Sequence, residues 1–251
     1  MSSLIYSLVI AIVALVPVTV NQFVEDSESA SPTMFLEQTD QEFFYDVSPR
    51  YMQTRTKTEM EQARSMAEFD SPEKIARIVS YKSVIVSTFD DNYEPIIEVA
   101  GETSEFNEAQ LKLLQSVDYS DDVLIRTEYL IKKNGKVEDG YTTPHITIVP
   151  EKQAEYAGGN KALVEYLKSN SIEQITIVKK DKLKPGKVRF TISEDGTISK
   201  AILVSTSGYP SIDKHMTKLI TEAPGKWEAA TDGNGNQVEE QLVFSFGIVG
   251  C

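Results

Sequence analysis

The chain has 251 residues, enough for one large domain or two small ones, and its 41% hydrophobic content can supply ordinary soluble cores. Its 38 acidic residues against 25 basic ones give a formal net charge of -13, which works against nucleic-acid binding, since phosphate affinity rests on clustered Lys and Arg. The densest basic cluster, Lys179, Lys180, Lys182, Lys184 and Lys187, is interrupted by Asp181 and has no interleaved aromatics, so it reads as a solvated linker.

Residues 4–20 form an apolar run with no charged side chain before Glu25, near the lower limit of the ~17 to 25 residues that cross a bilayer as a helix. Segment 1–24 is therefore a transmembrane anchor or a cleaved signal, although neither a basic start nor a small-x-small cleavage site is clear. Either choice exports the rest of the chain, into the periplasm of a cell with two membranes, with the inner membrane held through residues 4–20. Residues 25–74 are acidic, rich in Ser and Thr and only sporadically apolar, which predicts a flexible linker. Within it, Phe43-Phe44-Tyr45 is an aromatic knot, which reads either as local packing against a nearby domain or as a docking motif. Met60, Ala63, Met66 and Ala67 fall at helical spacing inside 58–69.

Order is expected from about residue 75, opening a domain over 75–150. Alternation over 79–89 predicts a strand, Asp90-Asp91-Asn92 a turn, and 95–100 a returning strand. Phe106, Ala109, Gln110, Leu113 and Leu114 predict a helix, with Ser104 or Asn107 as its cap. Residues 123–132 read as a third strand, Asn134-Gly135 as a hairpin turn, and 145–149 as a fourth strand. Phe106-Asn-Glu-Ala-Gln-Leu-Lys-Leu-Leu, Asp121-Asp122-Val-Leu-Ile-Arg, the Asn-Gly turn and Pro144-His-Ile-Thr-Ile-Val are together similar to the C-terminal domain of the gliding-motility protein GldM. That resemblance covers about 80–150 and implies periplasmic protein contacts.

A second domain is expected over 151–251. Gly158-Gly159 precedes a helix carrying Leu163, Val164, Tyr166 and Leu167 on one face, with Asn160 able to cap it. Gly-Lys-Ser/Thr does not follow the Gly pair, so it reads as a turn and not a phosphate cradle. Val188, Phe190 and Ile192 alternate with polar residues, Asp195-Gly196 supplies a tight turn, and 198–206 runs back. A helix over 212–221 leads to Trp227, a core anchor, and 238–248 forms a last strand.

Residues 155–170 and 186–248, with the Gly pair, the Asp-Gly hairpin, Lys226-Trp227 and Gln-Leu-Val-Phe-Ser-Phe, resemble the C-terminal domain of TonB-family energy transducers. The resemblance implies an α+β chain. A membrane helix would precede two small domains, the first mostly β with one helix, the second two helices on a three-stranded antiparallel sheet. It also implies that the last strand lies at a sheet edge and that Gln241, Leu242, Val243, Phe244, Ser245 and Phe246 receive a partner's strand by β-augmentation. Gly158, Gly159, Asp195, Gly196 and Trp227 would be structural. The partners implied are an outer-membrane TonB-dependent transporter or another periplasmic protein, and proton-driven motor subunits. Energised members carry a His on the membrane helix and residues 4–20 carry none, which leaves a non-energised periplasmic scaffold or sensor-associated module as the alternative.

Neither His145 nor His215 has companions at metal-ligand spacing, and Ser205 and Ser207 have no recognisable base. Cys251 is a terminal thiol. No cofactor, metal or enzymatic activity is expected.

Overall fold

A computed structural model describes residues 43–90, 94–176 and 182–248. The described part opens on β1 (Phe44–Ser48), turns through residues 49–52 and continues as β2 (Gln53–Thr56). Helix α1 (Lys57–Gln62) starts at a capping box: Glu59 N donates to Thr56 Oγ1 at 3.1 Å, and Thr56 N donates to Glu59 Oε2 at 2.8 Å. A 3₁₀ turn (Met66–Glu68) capped by Ser65 and a short α2 (Pro72–Ile75) capped by Ser71 follow.

This overturns the expected flexible linker over 25–74 as far as residues 43–74 are concerned. Met60, Ala63, Met66 and Phe69 are all buried in one core with Val84, Val86, Ile125 and Ile146. Four apolar residues, each about one turn from the next, are enough to dock a segment whose remaining side chains face water. Low average hydrophobicity concealed them.

That core lies under a sheet built from β3 (Ile78–Phe89), β4 (Pro95–Gly101), β5 (Asp122–Lys133), β6 (Lys136–Thr142) and β7 (His145–Val149). The order is β2-β7-β5-β3-β4, with β6 also paired to β5 and β2 running parallel to β7. Helix α3 (Glu108–Ser116) is capped by Asn107 and buries Gln110, Leu113 and Leu114. Asn134 (φ 48°) and Gly135 (φ 80°) make the β5–β6 turn.

The other sheet has the order β1-β14-β9-β10, from β9 (Gly186–Ile192), β10 (Ile198–Ser205) and β14 (Glu240–Gly247), all antiparallel. One face packs on α4 (Gly159–Thr176) and α5 (Pro210–Thr221) through Leu163, Leu167, Phe190, Met216, Phe244 and Phe246. Two ribbons complete it: β8 (Glu155–Tyr156) with β11 (Trp227–Glu228), and β12 (Ala230–Thr231) with β13 (Gln237–Val238).

The architecture is α+β, but not the two-helix, three-stranded kind expected: the sheet has four strands because β1 joins it, and the two ribbons are additional. Among the described residues no helix is long and apolar enough to cross a membrane. The expected membrane segment at 1–24 lies outside the described residues. The described residues cluster as a single compact unit, and, β1 apart, the strands of the two sheets lie on either side of the expected boundary near 150.

Candidate partner-strand site

The partner-strand site expected from the TonB-like resemblance falls on β14. Leu242, Phe244 and Phe246 point to the helices and are buried there, while Gln241, Val243 and Ser245 point to the opposite face, as the period-2 pattern requires. The expected bare flank is not bare. One side of β14 pairs with β9, Glu240 opposite Ile192 through Phe246 opposite Gly186. The other pairs with β1, Val243 opposite Ser48 through Gly247 opposite Phe44. Beyond the end of β1, the Gln241 N–H donates to Ser120 Oγ at 2.9 Å. All six predicted contact residues thus sit in an interior strand whose second flank is taken up by the chain itself.

What fills that flank defines a slot between β14 and α4. Val47 is buried, and Tyr45 and Phe43 pack partly against the same core, so alternate residues 43, 45 and 47 enter the slot. Tyr45 Oη lies 2.5 Å from Ser171 Oγ on α4, and Asn160 Nδ2 donates to the Val47 carbonyl at 3.5 Å. Burial raises the Tyr45 phenol, with the Ser171 bond opposing. On the outward face, Ser48 Oγ donates to Asp46 Oδ2 at 2.6 Å. A cavity of about 140 Å³ adjoins Val47, lined also by Ala154, Tyr156, Asn160, Trp227 and Leu242.

Glu240, which the sequence reading missed, closes the slot's far end. It is 1% exposed and accepts from Ala154 N at 2.6 Å and Gln153 Nε2 at 2.9 Å. Burial holds its carboxyl above the usual range, more than those two bonds lower it. A buried Glu beside an exposed Glu239 leaves no sequence signal to separate the two.

The turn from β1 to β2 is pinned. Arg50 Nη1 bonds Asp122 Oδ2 at 2.5 Å, Thr147 Oγ1 donates to Asp122 Oδ1 at 2.9 Å, and Tyr51 N donates to Thr147 Oγ1 at 3.0 Å. Asp122 is nonetheless raised, because its burial outweighs the Arg50 charge. The strap of residues 44–56 therefore adds one strand to each sheet and is bolted between them.

The residues expected to be structural are placed as follows. Gly158, just ahead of α4, and Gly159, its first residue, have φ of 91° and 79°. Gly196 has φ of 77°, and a Cβ there would lie 2.2 Å from the Trp227 carbonyl oxygen. Asp195 Oδ1 accepts from Thr197 N at 3.0 Å, bracing the same turn. Trp227 is buried between the rings of Tyr156 and Phe190, at 5.5 and 5.8 Å.

Neither known protein families, nor curated proteins, nor solved structures match this chain. The site's own chemistry is what remains to reason from. His215 Nε2 lies 2.9 Å from the Asn170 carbonyl, His145 stacks on Tyr51 at 4.8 Å, and Cys251 lies outside the described residues. Among the described residues no group of three or more His, Cys, Asp or Glu side chains could hold a metal. The slot offers main-chain donors and acceptors, an apolar floor and two polar fixings, and β1 of the same chain fills it as an extended strand.

Proposed function

We propose that this chain is a non-catalytic binding module of an exported protein, and that it takes up an extended segment of a partner in the slot between β14 and α4. The observation that carries this reading is the occupant of the slot: β1, brought from far upstream, is held by five residue pairs with β14 and by alternating side chains. Main-chain hydrogen bonds worth about 0.5–1.5 kcal/mol each accept any extended sequence, and the floor selects for an aromatic-x-aromatic-x-aliphatic pattern like Phe43, Tyr45 and Val47. A partner strand must displace β1, so the module is closed at rest.

The apolar run at 4–20 supports a place at the inner membrane with the bulk of the chain in the periplasm. An outer-membrane transporter is the partner class favoured by the TonB-like motifs. The pinned turn at Arg50 favours a second reading, in which β1 never leaves and the protein is a passive scaffold.

A photo-crosslinking residue at Gln241, in cells, tests the choice, with β1 locked in place by a disulfide between Asp46→Cys and Ser245→Cys, which lie opposite one another. Capture from Gln241 that is lost in the oxidised lock and restored by reductant supports strand uptake. Capture indifferent to the lock, or none, supports the scaffold.

A further inference from the structure

The far side of the same sheet has no strand paired to it among the described residues. β10 is its last strand, and it exposes three consecutive apolar residues, Ile202 at 49%, Leu203 at 40% and Val204 at 40%. Register shifts against β9 fall between Ile198 and Lys200 and between Leu203 and Ser205, so the regular stretch is Lys200 to Leu203. Within it, Ala201 and Leu203 lie opposite Phe190 and Val188 and share the helix side, whereas Lys200 and Ile202 lie opposite Thr191 and Arg189 on the other. Leu203 also borders an open groove of about 620 Å³ against α5, with Pro210, Thr217 and Thr221 across from it.

We propose that β10 is an interface to a second copy of this chain, the two strands pairing antiparallel about a two-fold axis through Ile202. That register is selected by the strand's own pattern. It sets Ile202 against its symmetry mate and Ala201 against Leu203 on the helix side, with Lys200 across from Val204. Opposed residues share a face, every central pair is apolar, and no two like charges lie directly opposite, which is the condition for a self-complementary strand pair. Charge does not oppose a second copy here: the chain's net charge of -13 works against self-association in general, but the exposed charges at this edge are Lys200, Lys214 and Lys218 beside Glu222, so bringing two copies together does not concentrate that excess. The bulges at both ends keep the strand from extending the sheet indefinitely and confine pairing to one register. The result is a continuous eight-stranded sheet with β1 at each outer end.

Disulfide trapping tests this in the full chain carrying Cys251→Ser, in detergent micelles. Ile202→Cys puts a thiol on the proposed axis, and Val137→Cys, at 55% exposure on β6, is the reference. Both sites are exposed, so neither substitution disturbs a core. Covalent dimers are expected to form at least about tenfold faster from Ile202→Cys, because paired strands hold the two thiols at high effective concentration. Adding Leu203→Glu should cancel the difference. Association through the apolar run at 4–20 alone would trap both thiols equally. Equal rates, a rate that Leu203→Glu leaves unchanged, or trapping in cells only to a different protein would each overturn the proposal.

Discussion

Arg50 and Asp122 meet where the strap passes from one sheet to the other, both largely buried. Removing the cation leaves a buried carboxylate with its charge uncompensated, so Arg50→Ala should cost about 3–5 kcal/mol in urea denaturation. Glu240, like Asp122, is raised by burial. Its folded pKa lies above the unfolded value, so its contribution is complete below the unfolded pKa and is lost as pH rises through the folded one. Stability of the native chain relative to Glu240→Gln should therefore fall as pH rises above the usual carboxylate range, as read from denaturation midpoints. Tyr81 is pushed up to about 12 by burial first and then by Asp70 and Tyr129, and its hydroxyl has no partner. Tyr81→Phe should leave stability within about 0.5 kcal/mol or raise it, since no bond is lost and a buried polar group is removed. Gly196 permits no side chain: Gly196→Ala should cost at least about 1–3 kcal/mol and alter the near-ultraviolet circular dichroism of Trp227, whose carbonyl the new methyl would strike.

At the scale of elements, the β9–β10 hairpin was legible because Val188, Phe190 and Ile192 alternate and Asp195-Gly196 marks the turn. So were the faces of β14. Its neighbours were not. Whether a strand is an edge depends on a partner that can come from anywhere in the chain, and β1 is five residues long, polar on one side and embedded in an acidic stretch. β6 escaped for a related reason: Val137 and Tyr141 are exposed, so it shows no buried face to read. The sequence thus showed β14 but not the β1 that fills its second flank. The slot's fixings at Ser171 and Asn160 carried no signal, since a Ser and an Asn on a helix are ordinarily solvated. β1, the first part of the strap, is the end strand of its sheet: it is held by Val47, worth about 1.5–3 kcal/mol of burial, by the packing of Tyr45 and by main-chain bonds to β14 alone. An end strand held on one side can open locally while the rest stays folded and the Arg50 anchor beyond it stays in place.

Across the whole molecule, a segment that completes both sheets ties their folding together, with β2 paired to β7 and β1 to β14. The single Trp reports on one sheet alone, while far-ultraviolet circular dichroism reports on both. The two signals should give coincident urea transitions, and separated midpoints would show the sheets to be independent. Strap opening is the step on which partner uptake depends, and native-state hydrogen exchange resolved by residue measures it most directly. The amides of Tyr45 to Ser48 and those β14 amides bonded to them should exchange through an opening several kcal/mol below global unfolding, ahead of Val188 to Ile192 in β9. Protection of β1 equal to that of β9 would contradict the account, because the slot would then open only when the molecule unfolds.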